Sequence, residues 1–404
     1  MVNSLPYLII VVCPNNQTTP VGVVCAMIGH YLFVIRSRSP TGLKEVPVKR
    51  LIAAVALIAF AAPAFAQTVP EIPYVSVPDY LKYPPTMNLG ETLGVAENSK
   101  GHLIVLNHPG SSTSGPLFGN ATTNLLEFDD RGNFVREIGQ NVYGFGYGHS
   151  VRFDNEDNLW IVDKGTNAVT KINPDGYVTL NLGRRPEGFD EYHHPPASEA
   201  RAVDGYFGGP TDVGWDAEGN IYVSDGYINS RVDKMDKWGN WLKSWGGYGN
   251  EPGQFRLPHS LQVDRAGNVY VADRSNRRIQ KFDSDGDLLK SIVMAVPFDK
   301  NYQPVLGNRN PGRPDAHAPW TLCISGGDTQ YLFASDEDPG RIYKMTLEGE
   351  MLGYLGESGR GPGQFNWIHG LSCRDENTLF VADMNNWRVQ KLLLNQTAQT
   401  SNEQ

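Results

Sequence analysis

With 404 residues, 40% hydrophobic and 20% charged, the chain has the apolar content of a folded protein and is not composed like a disordered one. Its net charge of −9 comes from interspersed acids and bases with no basic run, which argues against nucleic acid or an anionic membrane surface as partner. The 43 Gly and 27 Pro point to many tight turns.

The first recognisable segment is a targeting one. Lys49-Arg50 precede an apolar run from Leu51 to Phe60, then Ala64-Phe65-Ala66 and polar Gln67. A charged start, a short apolar core and an A-x-A cleavage site read as a secretory signal peptide over 48–66, so the protein is expected to be exported, periplasmic or secreted. The run is short for a membrane span, and none is expected in the mature chain. Residues 1–47 form an extension ahead of the signal. Translation is expected to start near Val48, the alternative being an anchor in the apolar stretch around Val21 to Ile35. Cys13 and Cys25 precede the signal and leave Cys323 and Cys373 after it. Those two either pair across neighbouring repeats or stay buried as free thiols.

Residues 67–87 lead into repeats that fill 88–395, ahead of a tail at 396–404 expected to be disordered. Four stretches align closely: Asn158-Leu-Trp-Ile-Val-Asp163, Asn220-Ile-Tyr-Val-Ser-Asp225, Asn268-Val-Tyr-Val-Ala-Asp273 and Asn377-Thr-Leu-Phe-Val-Ala-Asp383. Tyr331-Leu-Phe-Ala-Ser-Asp336 is a looser copy, and Gly94 to Leu106 a weak first one. Each is followed by a polar turn and a second alternating run, such as Arg278-Ile-Gln-Lys-Phe282, then by a turn such as Asn173-Pro-Asp-Gly176. Alternation over four to six positions marks half-buried strands, and Asp-Gly turns suit tight hairpins. Six repeats of about 40–50 residues built this way predict an all-β, six-bladed β-propeller. The last blade lacks an outer strand, which Tyr74 to Val77 is expected to supply. Long loops at 184–206, containing His193-His194, and at 297–314 are expected to wall the mouth of the axis.

Superimposing the repeats brings histidines into register. His149, His259 and His369 each lie 14 residues before a blade aspartate and are spaced 110 residues apart, two blades each. The same slot holds Thr211 in blade 3 and Trp320 in blade 5. The first strand of a propeller blade lines the central channel, so the three imidazoles are expected to converge at one depth. Three histidines with a fourth position open are the pattern of catalytic zinc, and imidazole without carboxylate or thiolate favours zinc or a similar transition metal. The alternative is that histidine simply suits a wet channel.

At these residues the chain resembles the NHL-repeat propellers, and among them the peptidyl-α-hydroxyglycine α-amidating lyases (peptidylamidoglycolate lyases). The resemblance covers nearly all of residues 88–395. It is strongest in Gly209-Pro-Thr-Asp-Val213, Ser224-Asp-Gly-Tyr-Ile-Asn-Ser-Arg231, Leu257-Pro-His-Ser-Leu261 and Ala272-Asp-Arg-Ser-Asn-Arg-Arg-Ile-Gln280. It implies a six-bladed propeller whose zinc is held by His149, His259 and His369, and which splits a carbinolamide C–N bond to release a peptide amide and glyoxylate. It implies Tyr227 as the group that takes a proton from the substrate hydroxyl, and Arg274 as a stabiliser of developing or carboxylate charge. Arg231 and His108 are further candidates for binding substrate. Packing roles compete at each of these: Tyr227 as an aromatic beside a turn, Arg274 and Arg231 as partners of the blade aspartates, His108 as a loop imidazole.

The chain also departs from that family. A second active-site arginine of blade 1 is matched here by His108, followed by Pro109. A structural Ca²⁺ held by backbone carbonyls would fall at Val95 and Val151, but the aspartate that should follow the third histidine is Gly370. Ile228 stands in place of a family cysteine, and no copper-type monooxygenase domain accompanies the propeller. The expected protein is a zinc-dependent lyase acting as a monomer on a small or peptide-derived substrate. A metal-dependent lactone or ester hydrolase and a non-catalytic NHL binding module are the alternatives.

Overall fold

A computed structural model describes residues 69–109, 123–140, 145–184, 196–298 and 317–396, with three short strands nearer the N-terminus. Those strands, Leu8–Val11, Val23–Ile28 and Tyr31–Arg36, form an antiparallel sheet in a unit that spans 1–65. The apolar stretch around Val21 to Ile35 contains two of these strands. No helix among the described residues is long and apolar enough to cross a membrane. The signal segment, His193, His194 and most of the loop at 297–314 lie outside the described residues.

The second unit, 66–404, is a six-bladed β-propeller. Its innermost strands are Glu91–Glu97, Gly148–Phe153, Pro210–Trp215, Pro258–Val263, Pro319–Ile324 and Ile368–Ser372, for blades 1 to 6 in order. Each touches the next, and blade 6 returns to blade 1, so the ring is closed. Blade 6 takes its outer strand from Tyr74–Val77, which pairs antiparallel with Arg388–Leu394 and joins the two ends of the ring.

Two aspartate devices explain the repeat. After the inner strand, Asp154, Asp216 and Asp264 each accept backbone N–H groups two and four residues on, an Asx-type turn that sets the hairpin. The recurrent Asn158, Asn220 and Asn268 return their side-chain amides to the same carboxylates. The aspartate that ends the second strand of blades 2, 3, 4 and 6 acts at longer range. Asp163 accepts from Tyr147 N, Asp225 from Gly208 N, Asp273 from Arg256 N and Asp383 from Asn366 N, at 2.7–3.0 Å. Each buried carboxylate therefore fixes the chain two or three residues ahead of the channel-lining slot.

Six apolar clusters fill the six seams between blades. Tyr270, Ala272 and Ile279 of blade 4, for example, meet Leu322, Leu332 and Tyr343 of blade 5. Cys323 and Cys373 form a disulfide, stapling blade 5 to blade 6 and deciding between the two thiol states left open above.

Candidate active site

His149, His259 and His369 are buried, and their ligand nitrogens lie within 4.8 Å of one another. Each Nδ1–H donates to a backbone carbonyl of the next blade: His149 to Thr211 O at 2.7 Å, His259 to Trp320 O at 2.8 Å and His369 to Leu93 O at 2.9 Å. A carbonyl can only accept, so the proton is fixed on Nδ1 and the Nε2 lone pair is free to face the axis. Burial, reinforced by neighbouring positive charge, drives His149 and His259 well below the ordinary imidazole range and His369 down to about 3. Three neutral, convergent nitrogens of fixed tautomer suit a transition metal.

Tyr227 joins them. Its hydroxyl lies 3.2 Å from Nε2 of His149 and 3.3 Å from Nε2 of His259. Gly226 makes this approach possible, because a Cβ there would strike the Pro258 carbonyl. Tyr227 N donates to Gly209 O at 3.1 Å, two residues before the slot of blade 3. Three other residues are held in the same way. Lys164 N donates to Tyr147 O, Arg274 N to Leu257 O and Met384 N to Trp367 O, each carbonyl lying two residues before His149, His259 or His369. Lys164, Tyr227 and Arg274 therefore fill one structural slot in blades 2, 3 and 4. The Lys164 ammonium lies 4.2 Å from the ring centres of both Tyr227 and Tyr147. The Arg274 guanidinium lies 3.3 Å over the Trp320 ring, which in turn packs against His259.

Two of the expected substrate contacts, Arg231 and His108, have partners within the protein. Arg231 is buried between Asp225 and Asp233, with its remaining donors on Asp204 and on the carbonyls of Val203 and Tyr206. It clamps the entry to blade 3. His108 ends the second strand of blade 1, where the other blades carry aspartate, and is fully buried against Tyr147. Its Nε2–H donates to Gly148 O at 3.0 Å, and burial pushes it down to about 4.

The calcium site implied by the resemblance does not fit. Val95 and Val151 do line a narrow cavity on the axis beside the histidines. Gly370 has no carboxylate and no room for one, since a Cβ would lie 2.8 Å from Leu93 O and 3.0 Å from Gly94 Cα. The same cavity is lined by a cation, Arg152. Arg152 binds Asp212 through two nitrogens, at 3.0 and 2.7 Å, and also donates to Leu322 O and Leu371 O across the channel. Ser260 Oγ and Leu261 N donate to Asp212 as well, so this one ion pair ties blades 2 to 6.

Sequence reasoning missed Lys164, Arg152 and Asp212. Lys164 follows Asp163 just as Arg274 follows Asp273, so the repeat alignment contained that signal. Arg152 stands three residues after His149, where the matching position is Gln262 in blade 4 and Ser372 in blade 6.

A family model of the NHL repeat matches residues 255–282, within blade 4. The chain is 25% identical to the peptidyl-glycine alpha-amidating monooxygenase of Mus musculus, over 76% of this chain and 31% of that protein. It is 29% identical to a probable peptidyl-alpha-hydroxyglycine alpha-amidating lyase of Caenorhabditis elegans, over 53% of this chain and 62% of that one. It thus spans about a third of the first relative and less than two thirds of the second. Among solved structures, virginiamycin B lyase of Staphylococcus aureus with quinupristin aligns at 11% identity and a TM-score of 0.51, covering 80% of this chain and 100% of that one, a likeness of fold alone.

Proposed function

We propose that this NHL-repeat propeller, similar in sequence to the amidating lyases, is a zinc-dependent lyase that splits the carbinolamide C–N bond of an α-hydroxylated amide, giving an amide and glyoxylate. One observation carries the reading: three neutral Nε2 atoms converge, and the Tyr227 hydroxyl stands at 3.2 and 3.3 Å from two of them. A zinc ion held by His149, His259 and His369 would supply a Lewis acid able to acidify a substrate hydroxyl.

The chain's own groups supply the rest. Tyr227 is placed to take the hydroxyl proton. As the carbinol C–O becomes C=O, the C–N bond breaks, nitrogen leaves with the electron pair, and the phenol returns a proton to it. Arg274, held flat on Trp320, offers a fixed fork of donors to carboxylate or developing negative charge. The disulfide between Cys323 and Cys373 supports an exported protein, as does the signal segment.

The purified mature protein is expected to contain one zinc per chain by elemental analysis, lost in His259→Ala, and to release glyoxylate and benzamide from α-hydroxyhippurate. Absence of a transition metal, or unchanged metal in His259→Ala, would end the metal site. A zinc-loaded protein that releases no glyoxylate would leave the site and remove the substrate.

A further inference from the structure

We infer that Lys164 is the substrate-binding cation that selects an acid at this site, working with Arg274 on a carboxylate beside the reacting carbon. The choice of ligand rests on the lyase reading; the geometry does not.

Lys164, Tyr227 and Arg274 are fixed by equivalent backbone hydrogen bonds in three consecutive blades, so the slot that delivers Tyr227 to the histidines delivers a cation on each side of it. The Lys164 ammonium is half-buried on the faces of Tyr147 and Tyr227, and among the described residues it forms no ion pair. Contact with an aromatic face stabilises an ammonium without occupying its three N–H donors. Those donors remain available to an anion arriving next to the Tyr227 hydroxyl. Positive charge from Lys164 is felt at His149 and His369, and from Arg274 at all three histidines, which puts both cations on the same site. Among the described residues, blade 1 places neutral, buried His108 directly before this slot, and the cation next to Tyr227 on that side comes from blade 2. The nearby carboxylate, Glu91, is buried beside His108 and acts on the Tyr147 hydroxyl. It is the rival partner for Lys164.

The test compares an acid with its neutral amide on zinc-loaded protein. Hippurate and hippuramide, both unreactive, are titrated calorimetrically into wild type, Lys164→Met and Lys164→Arg. Hippurate is expected to bind wild type more tightly than hippuramide. Lys164→Met should weaken hippurate roughly tenfold, the lower end for a hydrogen bond to a charged group, with hippuramide unchanged and Lys164→Arg restoring most of the loss. In turnover, Lys164→Met should raise KM for α-hydroxyhippurate and leave kcat within about threefold, as expected for loss of uniform binding. Equal binding of the two ligands by wild type, or equal weakening of both by Lys164→Met, overturns the inference and favours a structural pairing with Glu91. Should Lys164→Met fail to fold, Lys164→Gln replaces it and the wild-type comparison still decides. Wild type that binds hippurate through Lys164 but turns over no α-hydroxyhippurate would sink the lyase reading alone.

Discussion

The axis of this propeller has two tiers, and they are built on opposite plans. His149 and Arg152 sit on one strand, Gly148–Phe153, three residues apart, about 10 Å at the usual strand rise. At the first tier, His149, His259 and His369 present neutral nitrogens with no carboxylate among them, so the only cation they can serve must come from outside. At the second, Arg152 brings its own charge and meets Asp212 and two carbonyls, leaving no coordination to offer. Equivalent strands can thus make either a site or a plug. The difference lies in whether the buried polar groups are satisfied from within the chain.

Substitutions can break the two tiers separately. The largest effect is expected at the first: Tyr227→Phe should lower glyoxylate release by about 10²–10⁴-fold while metal content by elemental analysis stays at the wild-type level. A loss below tenfold would show that Tyr227 only packs. At the second tier, Arg152→Met leaves Asp212 buried and unpaired, which should cost about 3–5 kcal/mol. Urea denaturation measures that loss, and replacing Arg152 and Asp212 together by leucines should recover much of it. Added calcium should not shift the melting temperature of wild type, because Arg152 already lines the axial cavity. A calcium-dependent rise would reinstate the site rejected above.

A smaller effect separates neutral imidazoles from the ion pair by pH. His108 and His369 have folded pKa values lowered to about 4 and about 3 by burial, against about 6.5 unfolded. Between those limits the unfolded chain binds more protons, so metal-free protein should lose stability as pH falls from 6.5 toward 4, with no contribution above 6.5. Urea midpoints at pH 7 and pH 5 check this. Replacing His108 by Asn should flatten part of the slope.

Much of this molecule was legible in the residues. The blade strands, their Asp-Gly turns and the closing role of Tyr74–Val77 follow from period-two alternation and short-range turn chemistry, which are local. The histidine register was legible because a propeller turns equal sequence spacing into equal angles around an axis. The burial of His108 and Arg231 was not legible, for a related reason. Position in a repeat says which slot a side chain occupies, but burial decides whether it reaches the channel.

The blade count, the alternation of histidines and the pairing chemistry of each turn depend on neighbours along the chain and could be read from the residues alone. The tautomer of each histidine, the Cys323–Cys373 bond, the equivalence of Tyr227 with Lys164 and Arg274, and the Arg152–Asp212 pair on the axis came from the folded ring. Those depend on which carbonyl or side chain the adjoining blade brings within 3 Å, and packing across the seams fixes that distance.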